Sequence, residues 1–285
     1  MKEFLSVVIP SLGGDLDQTL VALNSGTIIP DEIIISLPDS SCIVKNCNVY
    51  PNIRIIYTGQ YGQVQQRIYG FKHSRFDYIL QLDDDIIVDE RCLEYLIKAI
   101  RTMKEKGAVS PYWYDIDNKP LACEEKTGWG MVFYYWIING VRGYSPGEVS
   151  LAGTNFGVNP KEVHGEIINV DWQPGGCVLH NKKNLILDNY YPYEGKAYSE
   201  DLIHSFLLRQ FGVSLLVNVK AICMTHLNPR LSKFGEIVSD FKAKRYFVKL
   251  ANLSLVRMIA CYIIQIALLT IFAMTNIKKT VNKPS

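Results

Sequence analysis

Residues 78–86 read YILQLDDDI, so that an apolar segment typical of a buried strand runs directly into Asp83, Asp84 and Asp85. Three adjacent carboxylates repel one another and destabilise a fold unless a cation offsets their charge. Because side chains alternate along an extended chain, Asp83 and Asp85 point the same way. That pair is suited to a hard divalent cation, Mg²⁺ or Mn²⁺. An acidic loop facing solvent is the alternative interpretation.

Upstream of this segment, short β-branched runs alternate with helical spacings. Strands are predicted at Leu5–Pro10, Glu32–Leu37, Ile53–Tyr57 and Tyr78–Leu82, and helices at Asp17–Asn24 and Gly62–His73. An amphipathic helix at Cys92–Met103 and a strand at Ala108–Ser110 follow. This alternation is typical of a mostly parallel α/β sheet flanked by helices, which binds ligands at the carboxyl ends of its strands.

The second half of the chain has weaker periodicity. Residues 112–169 are rich in Tyr, Trp, Gly and Asn, which is typical of binding loops on a rigid sheet, or of an inert insertion. Order returns at Trp172–Leu179, a helix is predicted at Glu200–Phe211 before Gly212, and a strand at Ser214–Val219.

Composition excludes several classes of protein. The chain has 285 residues, a formal net charge of +2 and seven cysteines. The balanced charge argues against a nucleic-acid binder, and the absence of a CxxC pattern argues against a zinc site. The odd cysteine count does not indicate a disulfide framework, so a reducing compartment is expected. The apolar run near the start is too short for a signal peptide, so we expect a cytosolic catalytic part.

The carboxyl-terminal tail differs in kind from the rest. About 20 residues without a formal charge (MIACYIIQIALLTIFAMTNI) lie between Arg257 and Lys278. That length allows a bilayer-spanning helix, and basic residues flank both ends. An interfacial helix and a buried or dimerising helix are the other two interpretations.

The order of these motifs resembles glycosyltransferase family 2. LSVVIP opens the chain, LDDD ends the fourth strand, DWQPGGCVL follows at 171–179, and SED at 199–201 precedes a helix. The resemblance covers about residues 3–250. It implies a GT-A fold and an inverting enzyme that moves a sugar from a nucleotide donor to an acceptor, with Mg²⁺ or Mn²⁺ as the cofactor.

The resemblance also implies roles for individual residues. The catalytic residues are Asp201, as the base, and its neighbour Glu200. Donor-binding residues are Pro10, Ser11, Asp39, Arg67, Asp83 and Asp84; metal ligands are Asp83, Asp85 and His226; acceptor-binding residues are Trp172, Gly175 and Gly176.

Each role has a plainer alternative. Ser199, Glu200 and Asp201 are good residues for capping a helix, although a helix amino terminus would also keep Asp201 ionised as a base. Arg67 could neutralise a diphosphate or be a surface arginine, and His226 could bind metal or cap a strand. Aromatic residues such as Trp172 stack on sugars but also fill cores.

One position departs from the family pattern. Ser36 stands where many members carry an aspartate that recognises the nucleobase. Asp39 is expected to take over that role, or backbone groups around Pro10 and Ser11 are. The QxxRW signature of processive polysaccharide synthases is absent from the sequence, which favours the addition of a single sugar.

These expectations give a domain plan. A GT-A catalytic domain covers residues 1–245, with a donor-binding half at about 1–110 and an acceptor-binding half at about 111–245. A basic and hydrophobic membrane-associated tail covers 246–285.

The expected function is transfer of one sugar to a saccharide or lipid-linked saccharide during surface polysaccharide synthesis, of O-antigen or capsule type. The expected location is the cytoplasmic face of the inner membrane of a bacterium, with a membrane surface and a possible homodimer as partners and no nucleic acid. The alternatives are a non-catalytic nucleotide-sugar-binding protein of the same fold and a sugar-nucleotide pyrophosphorylase. The loop PSLGGDLDQ lacks the basic residue that a pyrophosphorylase needs, and no GxGxxG follows a strand as a dehydrogenase requires.

Overall fold

A computed structural model describes residues 4–45, 47–103, 106–121, 125–159, 165–226 and 234–281. The last four residues of the predicted tail, 282–285, therefore lie outside the described residues. Mean hydropathy is close to zero, as expected for a chain that buries one large core.

The first half of the chain forms the elements that its sequence predicts. They are β1 (Leu5–Pro10), α1 (Asp17–Ser25), β2 (Glu32–Leu37), β3 (Ile53–Tyr57), α2 (Gln63–His73), β4 (Tyr78–Leu82), β5 (Ile86–Val88) and α3 (Cys92–Thr102). Only β5 was not predicted, because three residues are too few to show a period.

The second half departs further from expectation. Its elements are β6 (Gly107–Asp115), α4 (Trp129–Asn139), β7 (Ile167–Asn169), β8 (Cys177–Asn181), α5 (Glu200–Gln210), β9 (Ser214–Thr225), α6 (Phe234–Leu250) and α7 (Leu255–Val281). Strands β6 and β9 are longer than predicted, because they pair with each other on both sides of a bulge at Pro111/Tyr112. Helices α4 and α6 were not predicted.

The described strands form one sheet in the order β3-β2-β1-β4-β8-β6-β9-β5, with β7 also paired to β9. Strands β1 to β4 are mutually parallel, but β8 lies antiparallel between β4 and β6. The sheet is therefore more mixed than expected. Because β1, β2 and β4 are parallel neighbours, their carboxyl ends meet at one edge.

Helices cover both faces of this sheet, because both faces of its central strands are apolar. Every residue of β1 and β2 is buried. Val7 and Ile33 pack in one cluster with residues of α1 and α3, whereas Val8 and Ile34 pack against Phe71 of α2. The α/β class is thus confirmed, and burial on both faces holds the edge rigid.

Residues 246–281 of the tail contain the end of α6 and the whole of α7. Helix α7 packs on α4 and α6, and Met258 and Tyr262 are buried there. Among the described residues, no helix combines the length and the apolar character needed to cross a bilayer.

Candidate functional site

Asp84 is fastened to the ends of neighbouring elements. The Ser11 hydroxyl, just after β1, donates to Asp84 Oδ2 at 2.6 Å. The Thr19 hydroxyl of α1 donates to the Asp84 carbonyl at 3.0 Å. Burial raises the pKa of Asp84, and the bond from Ser11 only partly offsets this. These two bonds hold the acidic turn, Asp83 to Asp85, close to the carboxyl end of β1.

Asp83 is held from two sides. Its amide donates to the Gly176 carbonyl at 2.8 Å. Its Oδ1 accepts from Arg67 Nη2 and from Gln63 Nε2, both at 3.0 Å. Burial raises the pKa of Asp83, and Arg67 and Gln63 counteract it incompletely.

Arg67 connects the acidic turn to the start of α5. Its Nη1 donates to Glu200 Oε1 at 3.0 Å, while Nη2 reaches Asp83. Its side chain is only 1% exposed, so Arg67 is not a surface arginine. Burial disfavours its charge, but Glu200 and Asp83 outweigh burial and raise its pKa. Its two ion-pair partners among the described residues, Asp83 and Glu200, are carboxylates of the protein.

Glu200 is the most deeply enclosed carboxylate of this group. Besides Arg67, its Oε1 accepts a hydrogen bond from the Tyr190 hydroxyl. Burial by itself would raise the pKa of Glu200, but Arg67, His204 and Tyr190 outweigh it, so that its pKa is lowered. Glu200 stays ionised as a structural partner of Arg67.

Asp201, the next residue, has a different environment. It is half-buried, and its Oδ1 accepts the Leu202 amide at 2.9 Å. Burial raises the pKa of Asp201 to about 6, with Lys244 pulling it down and Glu200 pushing it up. The side chain of Ser199 makes no capping hydrogen bond, so the capping interpretation is not supported for that residue.

Asp201 borders a cavity of about 310 Å³ whose walls are mostly aromatic and apolar. Trp172 forms part of the wall, and its indole Nε1 donates to the Phe156 carbonyl at 2.8 Å. The other lining residues come from β6, the chain after it, β9 and the 147–174 segment: Pro111, Tyr112, Trp113, Leu121, Gly147, Asn155, Phe156, Gly157, Val158, Val170, Pro174 and Val217. A carboxylate beside aromatic faces suits a sugar hydroxyl and its ring.

Gly175 and Gly176 lie between the acidic turn and α5. A Cβ on Gly175 would stand 3.0 Å from Glu200 Oε2, and one on Gly176 would stand 2.7 Å from Trp113 Cη2 and 3.0 Å from Asp83 Oδ2. The glycine pair is therefore required by the close approach of the protein's own side chains.

Asp85 and His226 occupy the exposed side of the edge. Thr225 pairs with Ile86 in antiparallel register, so the residues beyond that pair, His226 and Asp85, adjoin each other in the backbone. Carboxylate oxygen and imidazole nitrogen are a donor set that Mn²⁺ accepts. Among the described residues, no three His, Cys, Asp or Glu side chains are grouped closely enough to hold a metal ion.

The expected nucleobase region lies after β2. Ser36 is buried, and a Cβ on Gly70 of α2 would stand 2.7 Å from its hydroxyl. Ser36 therefore faces α2 rather than the edge. Asp39 accepts from Ser41 and from the Tyr61 hydroxyl, the latter at 2.7 Å. These bonds lower the pKa of Asp39. Pro10 ends β1 beside this loop.

Sequence inspection did not identify three of the residues that shape this site. Tyr190 sits in an aromatic stretch without periodicity, Lys244 lies in the unpredicted helix α6, and Gln81 is a polar residue inside a strand. Gln81 Nε2 donates to the Gly175 carbonyl. A buried glutamine in an apolar strand was the one signal that could have been recognised.

Comparison with known proteins relates this geometry to a family. Residues 6–137 match the model of the family described as glycosyl transferase family 2. No curated protein matches the sequence. The crystal structure of GalNAc-T7 with UDP, GalNAc and Mn²⁺ is similar, with 15% identity and a TM-score of 0.57 over 80% of this chain and 44% of that chain.

The crystal structure of S. aureus TarS is similar at 12% identity and a TM-score of 0.50, over 88% of this chain and 40% of that chain. The chain thus spans less than half the length of either protein. The family match covers residues 6–137, and the two structural likenesses support the GT-A fold.

Proposed function

We propose that this chain, whose residues 6–137 match glycosyl transferase family 2, is an inverting glycosyltransferase that moves one sugar from a nucleotide donor to a saccharide or lipid-linked saccharide. One observation carries the proposal. Arg67 joins the acidic turn after β4 to the amino terminus of α5, and so brings Asp83 into the same site as Asp201. A donor-binding edge and a basic carboxylate beside a cavity are what the reaction requires.

The donor is proposed to lie along the edge formed by the ends of β1, β2 and β4. Asp83 and Asp84 are held there by the bonds described above, which supports a fixed contact to the sugar nucleotide. Asp39 and the Tyr61 ring, which are joined by a hydrogen bond, are proposed to contact the nucleobase. Pro10 and Ser11 supply the backbone beside it.

The chemical step follows from the environment of Asp201. An acceptor hydroxyl in the cavity attacks the anomeric carbon while Asp201 takes its proton, and the bond from that carbon to the nucleoside diphosphate breaks with the electron pair on the leaving oxygen. With a pKa of about 6, Asp201 is mostly ionised at neutral pH yet basic enough to accept a proton. Attack opposite the leaving group inverts the configuration of that carbon.

In this proposal a divalent cation binds at the exposed side of this edge. Asp85 and His226 would hold it, with Asp83 as the third residue expected from the sequence. When bound, Mg²⁺ or Mn²⁺ would neutralise charge on the leaving diphosphate. Arg67 is committed to Asp83 and Glu200, so in this proposal it positions those carboxylates and does not bind phosphate directly.

The acceptor is proposed to enter the cavity beside Trp172, next to Gly175 and Gly176, which follow Pro174 of the cavity wall. We place the protein at the cytoplasmic face of a bacterial inner membrane, acting in surface polysaccharide synthesis as a monomer or a homodimer. Residues 1–245 are proposed as the catalytic domain, with donor and acceptor halves meeting near residue 110, and 246–285 as the membrane-associated tail. The aromatic walls support a saccharide acceptor.

Thermal stabilisation by nucleoside diphosphates, with and without Mn²⁺, tests the donor side. We expect a selective rise in Tm with one diphosphate that increases with Mn²⁺. The substitution Asp85→Asn should remove the Mn²⁺-dependent part and leave the Tm without ligand unchanged or higher. Asp117→Asn, at an exposed acidic residue beyond β6, is the matched control. No shift with any diphosphate and no turnover with any sugar nucleotide would overturn the proposal.

A further inference from the structure

Helix α4 exposes an apolar stripe to solvent. Its outward residues recur at helical spacing and are between 53% and 94% exposed: Trp129, Val132, Phe133 and Trp136. The opposite side of the helix is buried through Tyr135 and Ile138. Residues 129–139 contain no charged side chain, so α4 is apolar on both sides. A helix with that pattern is expected to be covered on its outward side as well.

Helix α7 carries a second stripe beside the first. Val256, Ile259, Ile263 and Ile266 recur at helical spacing and are 45% to 78% exposed. The two helices are fixed to each other, since Arg257 Nη1 donates to the carbonyls of Trp136 and Ile137 at 2.8 and 2.5 Å. The positive charge of Arg257 at the carboxyl end of α4 also interacts favourably with the dipole of that helix. The two stripes are therefore held as one rigid surface.

Charges next to α4 are balanced, and those of the α7 segment are positive. Next to α4 in sequence lie Lys126 and Arg142, both exposed, and two acidic residues, Glu124 and Glu125. Residues 255–281 contain Arg257, Lys278 and Lys279 and no acidic residue. Tryptophan at an apolar boundary with lysine and arginine around it is the composition of a protein surface that lies in a lipid interface.

We propose that the stripes of α4 and α7 together dock onto an anionic lipid surface. This inference rests on the proposed function in one respect, because both place the protein at a membrane. It adds which part of the molecule touches lipid. Trp129, Phe133 and Trp136 enter the headgroup region, and Lys126 and Arg142 contact anionic headgroups. A second copy of the chain is a poorer occupant, because a symmetric dimer through this surface would bring the basic residues of both copies together.

Docking in this way would bring the acceptor site near lipid. Lys244, whose Nζ donates to the Gly153 carbonyl at 3.1 Å, links α6 to the 147–157 segment that lines the acceptor cavity. Helix α6 in turn packs on α7. The cavity beside Asp201 and the lipid-facing surface thus belong to adjacent layers, and a lipid-linked acceptor would reach both at once.

The test is co-sedimentation of the full chain with vesicles, without sugar nucleotide. We expect binding to phosphatidylglycerol vesicles, weaker binding to phosphatidylcholine vesicles, and weakening by salt. The double substitution Trp129→Ala/Phe133→Ala should lower the partition coefficient about tenfold or more, because two large apolar side chains leave the interface. Arg142→Glu should lower it about fivefold or more on anionic vesicles only.

Matched controls distinguish binding through this surface from non-specific binding by exposed apolar or basic side chains elsewhere. Val21→Ala/Phe211→Ala removes two exposed apolar side chains from α1 and the end of α5, and Lys220→Glu reverses an exposed charge on β9. These variants should bind vesicles as the unchanged protein does. Equal loss in test and control variants, or no vesicle binding at all, would overturn the proposal.

A dimer in solution that Trp129→Ala/Phe133→Ala dissociates, without vesicle binding, would assign the surface to a second copy and would also overturn the proposal. Sugar transfer to a water-soluble acceptor is measured on the same variants. Because Trp129 and Phe133 lie outside the proposed catalytic site, transfer should persist. Absence of vesicle binding by the unchanged protein with transfer intact would therefore disprove the docking surface alone, and absence of transfer with vesicle binding intact would disprove the enzyme alone.

Discussion

Two neighbouring carboxylates at the start of α5 lie in contrasting regions of the molecule. Glu200 lies in a buried cluster with Arg67 and Tyr190, where a cation lowers its pKa. Asp201 lies at the border of an apolar cavity, where burial raises its pKa to about 6. A change of one position along a helix turns a side chain by about 100°. The contrast indicates that Glu200 serves the scaffold and Asp201 the chemistry.

Asp201→Asn tests the chemical half of this contrast. We expect turnover to fall by roughly 10²–10⁴, the usual contribution of a positioned base. Because the folded pKa is raised above 3.8, the folded state holds this proton more tightly than the unfolded state does, and stability falls as pH rises from about 4 to about 6. The substitution removes a buried charge, so the Tm at pH 7 should not decrease.

Steady-state kinetics and calorimetry on the same preparation check both parts. Glu194→Gln, at an exposed carboxylate before α5, is the matched control and should change neither quantity. Turnover near that of the unchanged protein would show that another carboxylate acts as the base. Glu200 and Asp201 would then not differ in the way proposed.

Arg67→Met tests the scaffold half. Removing the guanidinium leaves Asp83 and Glu200 buried without their cation, which typically costs about 3–5 kcal/mol of folding free energy. Arg91→Met, at the residue just before α3, is a useful control, because Arg91 pairs with Glu94 in solvent and such pairs contribute at most about 1 kcal/mol. Urea unfolding of the two variants measures the difference. Equal destabilisation would show that the Arg67 cluster contributes no more than a surface pair.

Gly176→Ala tests how tightly the two regions approach. The added Cβ would lie 2.7 Å from a ring atom of Trp113, and the ring has no room to move without disturbing the cavity wall. Such overpacking typically costs about 1–3 kcal/mol. Gly130→Ala on α4, where a Cβ would meet nothing within 4 Å, is the control and should not destabilise. Differential scanning calorimetry distinguishes them, and equal Tm values would contradict the close approach.

The sequence predicted the donor half of this site better than the acceptor half. The β-branched runs of β1 to β4 predict buried parallel strands, and the three carboxylates follow directly after β4. Helix α4 reads WGMVFYYWIIN, which is apolar on every side and so has no 3.6-residue pattern to recognise. Contacts such as Arg67 to Glu200 join residues 133 positions apart, and local patterns do not report such pairs.

Substitution of Lys244 has the smallest expected effect, and it tests whether a nearby cation influences the pKa of Asp201. Burial is the largest influence on the pKa of Asp201, and Lys244 is the largest one opposing it. The other charged groups near this pair are Glu200 and Asp240. Since a base must be unprotonated, turnover should fall about tenfold for each pH unit below about 6. In Lys244→Met the cation is lost, so the pKa of Asp201 rises and the acid limb moves to higher pH.

Lys244→Arg keeps the charge and the ability to donate to the Gly153 carbonyl, and its acid limb should stay in place. A purely structural role for Lys244 would lower turnover equally at all pH values and leave the limb unmoved in both variants. The comparison of the two pH profiles therefore measures whether the charge of α6 reaches the carboxylate on α5. An unmoved limb in Lys244→Met would show that burial alone sets the pKa of Asp201.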